Sequence, residues 1–206
     1  MATGNVGPDE ESPVRLGVFG GTFDPPHVGH VTLTRELRES GVVDEILWIP
    51  VAIPPHKPSG PRTSPELRME MVRAAIDGCA NQSASNIEFL REGPSYTVDT
   101  LRALRSEHPE ATPVLIMGSD QFAELAEWHK AEEVVQFADV CVLPRGGVEL
   151  ASVQPRLSVV WCVADVASID VSSSGIRKRV REGRPYRHLV PEAVAEIIER
   201  EDLYGQ

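Results

Sequence analysis

Residues 15–30 read Arg15-Leu16-Gly17-Val18-Phe19-Gly20-Gly21-Thr22-Phe23-Asp24-Pro25-Pro26-His27-Val28-Gly29-His30. The apolar run Arg15–Phe19 predicts a strand, and the segment from about residue 28 to 39 predicts a helix. Between them Gly20 and Gly21 permit a tight turn and let backbone N–H groups approach a phosphate with no Cβ in the way. His27 and His30 stand three apart, so on a helical turn they point to one side. If that turn opens the helix, its unpaired N–H groups and positive dipole end add an attraction for an anion. Gly29 leaves room for a base or ribose. Quieter readings remain open. Two histidines at a helix start also serve as surface or capping residues. A metal pair is conceivable, although no third and fourth ligand stands in obvious register. No Gly-Lys-Ser/Thr follows the glycines and no Gly-x-Gly-x-x-Gly is present, which excludes two common phosphate loops.

Outward from this stretch, short β-branched runs alternate with helix-periodic segments. Strands are expected at Arg15–Phe19, Glu45–Ile49, Ile87–Leu90, Val114–Met117, Val140–Leu143 and Val159–Val163. Helices are expected near residues 28–39, 64–77, 96–107, 121–137 and 174–182, with a last one from Pro191 to Glu201. Strand–helix–strand repetition with right-handed crossovers predicts an α/β chain: a Rossmann-like, doubly wound parallel sheet with helices on both faces. Its ligands should sit at the carboxyl ends of the strands, where the chain order reverses. Residues 1–13 carry breakers and no positive side chain, and are expected to form a disordered tail before a single domain over 14–206. The six prolines between Pro50 and Pro65 predict a stiff loop, and residues 144–157 a mobile surface connection.

Composition narrows the partners. The 206 residues are 41% hydrophobic, enough for a proper apolar core, and carry 20 Lys+Arg against 31 Asp+Glu, a net −11. Such acidity argues against non-specific nucleic-acid binding and an anionic membrane surface. No run approaches the ~18 apolar residues that span a bilayer. The N-terminus lacks the marks of a secretory signal, so a cytoplasmic protein is expected. Cys79, Cys141 and Cys162 are far apart and read as reduced core residues. A homo-oligomer stays open.

A second chemical motif follows residue 170: Val171-Ser172-Ser173-Ser174-Gly175-Ile176-Arg177-Lys178-Arg179. Serines cap helices, and their hydroxyls with exposed backbone donors make another anion seat. Arg177, in the first helical turn, has a fork suited to phosphate. For Lys178, Arg181 and Arg184 a solvated helix face is the better reading; Ser173, Ser174 and Arg177 read as phosphate ligands.

The run Gly20–His30 resembles the signature of the nucleotidyltransferase superfamily, whose HxGH element binds a nucleoside triphosphate. Residues 171–177 resemble its second signature, ISSTxIR, with Ser174 in place of threonine and Val171 in place of isoleucine. Three further elements, Pro54-Pro55-His56-Lys57, Ser95-Tyr96-Thr97-Val98-Asp99-Thr100-Leu101 and Gly118-Ser119-Asp120 with Leu125 and Trp128 beyond it, resemble the nicotinate-nucleotide adenylyltransferase branch. Ser95 reads as the cap of its helix. The likeness runs from about Arg15 to Tyr204. Pro144-Arg145-Gly146 departs from the family's Arg-Pro-Gly, which leaves the role of Arg145 open.

The resemblance implies an adenylyltransferase of NAD biosynthesis that joins ATP and nicotinate mononucleotide into deamido-NAD and pyrophosphate. ATP would be held by Gly20, Gly21, Thr22, Phe23, His27, Gly29, His30, Gly118, Asp120, Ser173, Ser174, Ile176 and Arg177. His27, His30, Lys57 and Arg177 would be catalytic. Lys57, Thr97, Asp120, Trp128 and His129 would hold the mononucleotide, with the Trp128 ring stacked on the pyridine. Mg²⁺ would arrive with ATP, with no protein metal site. Phosphopantetheine, favoured slightly by Ser174, and nicotinamide mononucleotide are the alternative acceptors. A non-catalytic nucleotide sensor and a metallohydrolase built on His27 and His30 are the remote readings.

Overall fold

Alternation along each strand decides which side chains go to which face of the sheet. In the computed structural model, which describes residues 13–55, 60–144, 157–167 and 169–205, six strands are arranged in the order β3-β2-β1-β4-β5-β6. They are β1 (Arg15–Gly21), β2 (Glu45–Pro50), β3 (Gln82–Ala84), β4 (Thr112–Gly118), β5 (Asp139–Leu143) and β6 (Trp161–Val163). All neighbouring pairs are parallel. Ile46, Trp48, Val114, Ile116, Cys141 and Leu143 enter one apolar layer. Their chain neighbours Leu47, Ile49, Leu115, Met117, Val140 and Val142 enter the other. A sheet apolar on both faces must be covered on both.

The first layer is closed by helices α1 (Val28–Glu39), α2 (Pro65–Ile76), α6 (Ser173–Arg181) and α7 (Glu192–Arg200), through residues such as Leu37, Met71, Ile176, Val194 and Ile198. The second is closed by α3 (Thr97–Glu107), α4 (Ser119–Ala123) and α5 (Ala131–Phe137), through Val98, Leu101, Phe122 and Val134. Local chemistry starts these helices where the sequence expects them. Ser64 accepts from the Leu67 N–H at 3.3 Å with Pro65 next to it, and Ser172 accepts from the Gly175 N–H at 3.1 Å.

The chain leaves β1 to build β2 and β3 on one side, then returns to build β4 on the other. The order therefore reverses between β1 and β4, and a crevice opens at their carboxyl ends. Phe19 pairs with Ile116, and each strand ends two residues later, at Gly21 and Gly118.

Several expectations are corrected. Residues Ile87–Leu90 form a short 3-10 turn, and the edge strand is Gln82–Ala84 instead. Glu88 explains the turn: its carboxylate accepts from the Ala52 N–H at 3.3 Å and from Thr100 Oγ1 at 2.9 Å, which draws it away from ladder pairing. Gln-Ser-Ala has no apolar alternation to announce a strand; Trp48 Nε1 donates to Gln82 Oε1 at 2.8 Å and anchors it. The single helix expected over residues 121–137 is three pieces, α4, a 3-10 turn at Leu125–Glu127 and α5, restarted by Lys130 in the left-handed region at φ 51°. The break lets Phe122, Leu125 and Val134 all reach one apolar layer. Cys141 is core and its thiol is pushed up to about 12, by burial first and then by Cys162, but Cys162 is exposed and Cys79 half-buried. No helix among the described residues is long and apolar enough to cross a membrane. The expected tail lies outside the described residues except for Pro13, as does the expected loop apart from Pro144 and Leu157.

Candidate functional site

β1 delivers its glycine turn into the crevice, and the turn is packed from below by aromatic rings. Phe23, at φ 48°, is buried with its ring 5.4 Å from that of Phe19 and 5.1 Å from that of Trp48. A Cβ on Gly21 would meet the Phe23 ring at 2.8 Å, so glycine is required there by packing. The side chain of Phe23 is thus part of the floor, which leaves its backbone to face a nucleotide.

The imidazoles of His27 and His30 stack at 3.6 Å between centroids, 19° from parallel, and the His30 ring stands edge-on to Phe23 at 5.2 Å. His27 is the extended N-cap of α1, and its N–H donates to His30 Nδ1 at 3.2 Å. The capping reading and the ligand reading are therefore compatible. A neutral imidazole that accepts at Nδ1 carries its proton on Nε2, which makes His30 a hydrogen-bond donor at its other end. Gly29 also has a packing role. Its missing side chain admits the His27 ring, since a Cβ would lie 3.1 Å from His27 Nδ1.

The second motif is brought against the first. Arg177 Nη1 donates to the Asp24 carbonyl at 2.7 Å, and Ser173 Oγ to the Pro25 carbonyl at 2.8 Å, across 153 and 148 residues of chain. Those two carbonyls lie just before His27, so α6 presents its first turn at the opening of α1. Ser173 is thereby a tie between the motifs. Ser172 is the cap and has Ser174 Oγ 3.2 Å from its own oxygen. The Ile176 side chain is wholly core, leaving only its backbone for a ligand.

Gly118 closes β4 and caps α4, which places Asp120 in that helix's first turn, exposed at the crevice side of the sheet. The ring of Tyr96 lies 4.2 Å from that of His129. This contact joins the start of α3, where Thr97 is the first residue, to the loop that carries the half-buried Trp128. Ser95 is not the cap of α3. Its hydroxyl accepts from the N–H groups of Ala52 and Ile53, both at 3.2 Å, and so pins the proline loop to this helix. Trp128 also lines a cavity of roughly 380 Å³ with Ala126, Lys130, Ala131, Glu132, Glu133 and Leu157. Lys57 and Arg145 lie outside the described residues.

Two residues that sequence reasoning missed organise this end of the sheet. Arg68 is completely buried in α2, and its guanidinium donates to the carbonyls of Val51 at 2.6 Å and Thr22 at 3.1 Å, so one side chain ties the loops after β1 and β2. Burial pulls its pKa down, against the nearby carboxylates of Asp24, Glu66 and Glu88. Asp24, 2% exposed, accepts from the Arg62 N–H at 2.6 Å and from Thr63 Oγ1 and Tyr204 Oη, both at 2.7 Å. A charged residue in a helix with no local partner was the available signal for Arg68. Nothing local signals the partners of Asp24. Among the described residues no group of three or more His, Cys, Asp or Glu side chains converges on a point that would hold a metal ion.

A parallel sheet in this order, with two anion-suited helix starts meeting at its reversal point, defines a nucleotide-binding α/β protein. A family model described as cytidylyltransferase-like matches residues 18–179. The relative from Salinibacter ruber, named "Probable nicotinate-nucleotide adenylyltransferase", is 38% identical over 92% of this chain and 97% of its own. One of the same name from Exiguobacterium sibiricum is 38% identical over 93% of this chain and 100% of its own. The chain belongs to the cytidylyltransferase-like nucleotidyltransferases and, within them, to the nicotinate-nucleotide adenylyltransferase family. In fold it is similar to a Plasmodium falciparum nicotinic acid mononucleotide adenylyltransferase solved with NaAD, at a TM-score of 0.75 and 18% identity over 93% of this chain and 97% of that one. It is also similar to a Vibrio parahaemolyticus structure titled as a nicotinate-nucleotide adenylyltransferase, at 0.68 and 22% over 94% and 96%.

Proposed function

We propose that this chain joins MgATP and nicotinate mononucleotide to give deamido-NAD and pyrophosphate. The observation that carries the reading is the pair of hydrogen bonds from Arg177 and Ser173 to the Asp24–Pro25 carbonyls, which sets a guanidinium and two stacked imidazoles around one crevice. The names of the curated relatives support the choice of acceptor.

The mononucleotide's phosphate oxygen attacks the α-phosphorus of ATP in line. The new P–O bond forms as the bond to the β-phosphate breaks, and the electron pair leaves with pyrophosphate. A phosphate monoester is ionised at neutral pH, so the nucleophile needs no protein base. Catalysis then rests on positioning and on charge stabilisation. His30, donating from Nε2, and His27 act on the α- and β-phosphates. Arg177 and Lys57 counter the charge that grows on the leaving group. Mg²⁺ enters on the triphosphate as part of the substrate, with Asp120 near ribose or phosphate groups. The Trp128 ring stacks on the pyridine, while Thr97 and the backbone donors near His129 suit a carboxylate better than an amide.

The test is pyrophosphate release from MgATP with nicotinate mononucleotide, its amide and phosphopantetheine offered separately. The acid is expected to give the highest kcat/KM. A higher value for either alternative overturns the choice of acceptor, and ATP binding without release by any of them overturns the enzymatic reading.

A further inference from the structure

We infer that the hydroxyl of Tyr204 is a positioning group for the ATP phosphate site, acting through Asp24 on Arg177; the inference rests on the ATP reading above. Tyr204 follows α7, 180 residues along the chain from Asp24. Asp202 at φ 47° and Tyr204 at φ 66° both occupy the left-handed region that L-residues rarely adopt, and these turns bring the segment back onto the first motif. The ring packs against the apolar layer beside α6 and α7, while the hydroxyl donates to Asp24 Oδ1 at 2.7 Å.

Asp24 faces several demands. Its carboxylate is buried and must be satisfied by donors, which are Arg62 N–H, Thr63 Oγ1 and Tyr204 Oη. Its carbonyl receives Arg177. The phenol feels both the Asp24 carboxylate and the Arg177 guanidinium, and burial followed by the Asp24 charge keeps its proton on. The arrangement is thus a division of labour. Neutral donors satisfy the carboxylate, so the guanidinium of Arg177 stays on the carbonyl and keeps its remaining N–H groups for phosphate. Without the phenol, the buried carboxylate loses one of the two side-chain donors on Oδ1, keeping Thr63, beside a cation whose role is to meet ATP. It then competes with phosphate for Arg177.

Tyr204→Phe keeps the ring and removes the hydroxyl, whereas Tyr204→Ala removes both. If the residue matters only for packing, phenylalanine restores everything that alanine loses. The inference expects otherwise: phenylalanine recovers the melting temperature, but KM for MgATP and the calorimetric Kd for MgATP stay raised by roughly three- to ten-fold, the scale of one lost hydrogen bond. KM for nicotinate mononucleotide should remain within about two-fold of the parent, because the Asp24 cluster lies at the two phosphate motifs and not among Thr97, Trp128 and His129. An unchanged Kd for MgATP in Tyr204→Phe, or equal rises in both KM values, overturns the inference. The calorimetric Kd judges it separately from the acceptor assignment, which is decided by the parent protein's turnover of the three acceptors.

Discussion

At the scale of single residues, the site is built from groups that each do two things. His30 caps α1 through Nδ1, and that bond turns Nε2 into a donor. His30→Ala should therefore lower kcat by about 10²–10³-fold, the cost of losing one preorganised donor. Far-ultraviolet circular dichroism should remain that of the parent, because the cap of one helix is a small part of the fold. A variant with near-normal turnover would remove His30 from the reaction. Arg68 poses the opposite case. Arg68→Met leaves the carbonyls of Thr22 and Val51 buried without their donor, each such group costing about 1–3 kcal/mol. Urea unfolding should show its midpoint falling accordingly, with an unchanged midpoint arguing that water replaces the guanidinium.

At the scale of elements, two glycines of β1 separate packing from ligand approach. A Cβ on Gly17 would stand 2.9 Å from Ile116 Cδ1 and 3.2 Å from both the Glu45 carbonyl and Val43 Cγ1, whereas one on Gly20 would meet nothing within 4 Å. Gly17→Ala should destabilise by about 1–3 kcal/mol in denaturant melts, the usual cost of overpacking. Gly20→Ala should melt like the parent yet bind MgATP more weakly, since its methyl group projects where a phosphate approaches. A Gly20→Ala protein with unaltered ATP affinity would move the nucleotide away from this turn. Elements were also where periodicity misled. Ile87–Leu90 has the composition of a strand, but Glu88 is claimed by Ala52 and Thr100. The run from residue 121 to 137 has helical periodicity, but the chain breaks at Trp128–Lys130 to keep its apolar residues on one layer. In both places a long-range partner outweighed a local preference.

At the scale of the whole molecule, the sheet is tied at both ends. Its amino ends carry the pair of Arg15 and Asp44, joined by the Arg15 N–H at 2.8 Å and the guanidinium at 3.0 Å. The Arg15 bonds hold the Asp44 carboxyl below its ordinary value. A lowered folded-state pKa contributes stability above the unfolded pKa, lost as pH falls through the folded one. Because the pair is largely exposed, Asp44→Asn should cost less than about 1 kcal/mol at pH 7. That difference should shrink as pH falls below the ordinary carboxyl range of about 4 and vanish only once the pH lies below the folded carboxyl's own lowered value. A pH-independent difference would mean that the asparagine acts through geometry rather than charge. The carboxyl ends, by contrast, are tied by buried groups, Arg68 and Asp24, beside the crevice where reactants would be held.

Alternating apolar runs and the glycine turn were enough to derive five of the sheet's six strands and its parallel winding, because those features depend on neighbours a few residues apart. Strand period, helix caps and glycine sterics are local chemistry. Only the folded chain decided what Asp24, Arg68, Ser95 and Tyr204 do. Their partners stand 17 to 180 residues away, beyond the reach of any periodicity. Burial alone turns those distant meetings into obligations, because a carboxylate or guanidinium cut off from water must find its hydrogen bonds wherever the tertiary structure offers them.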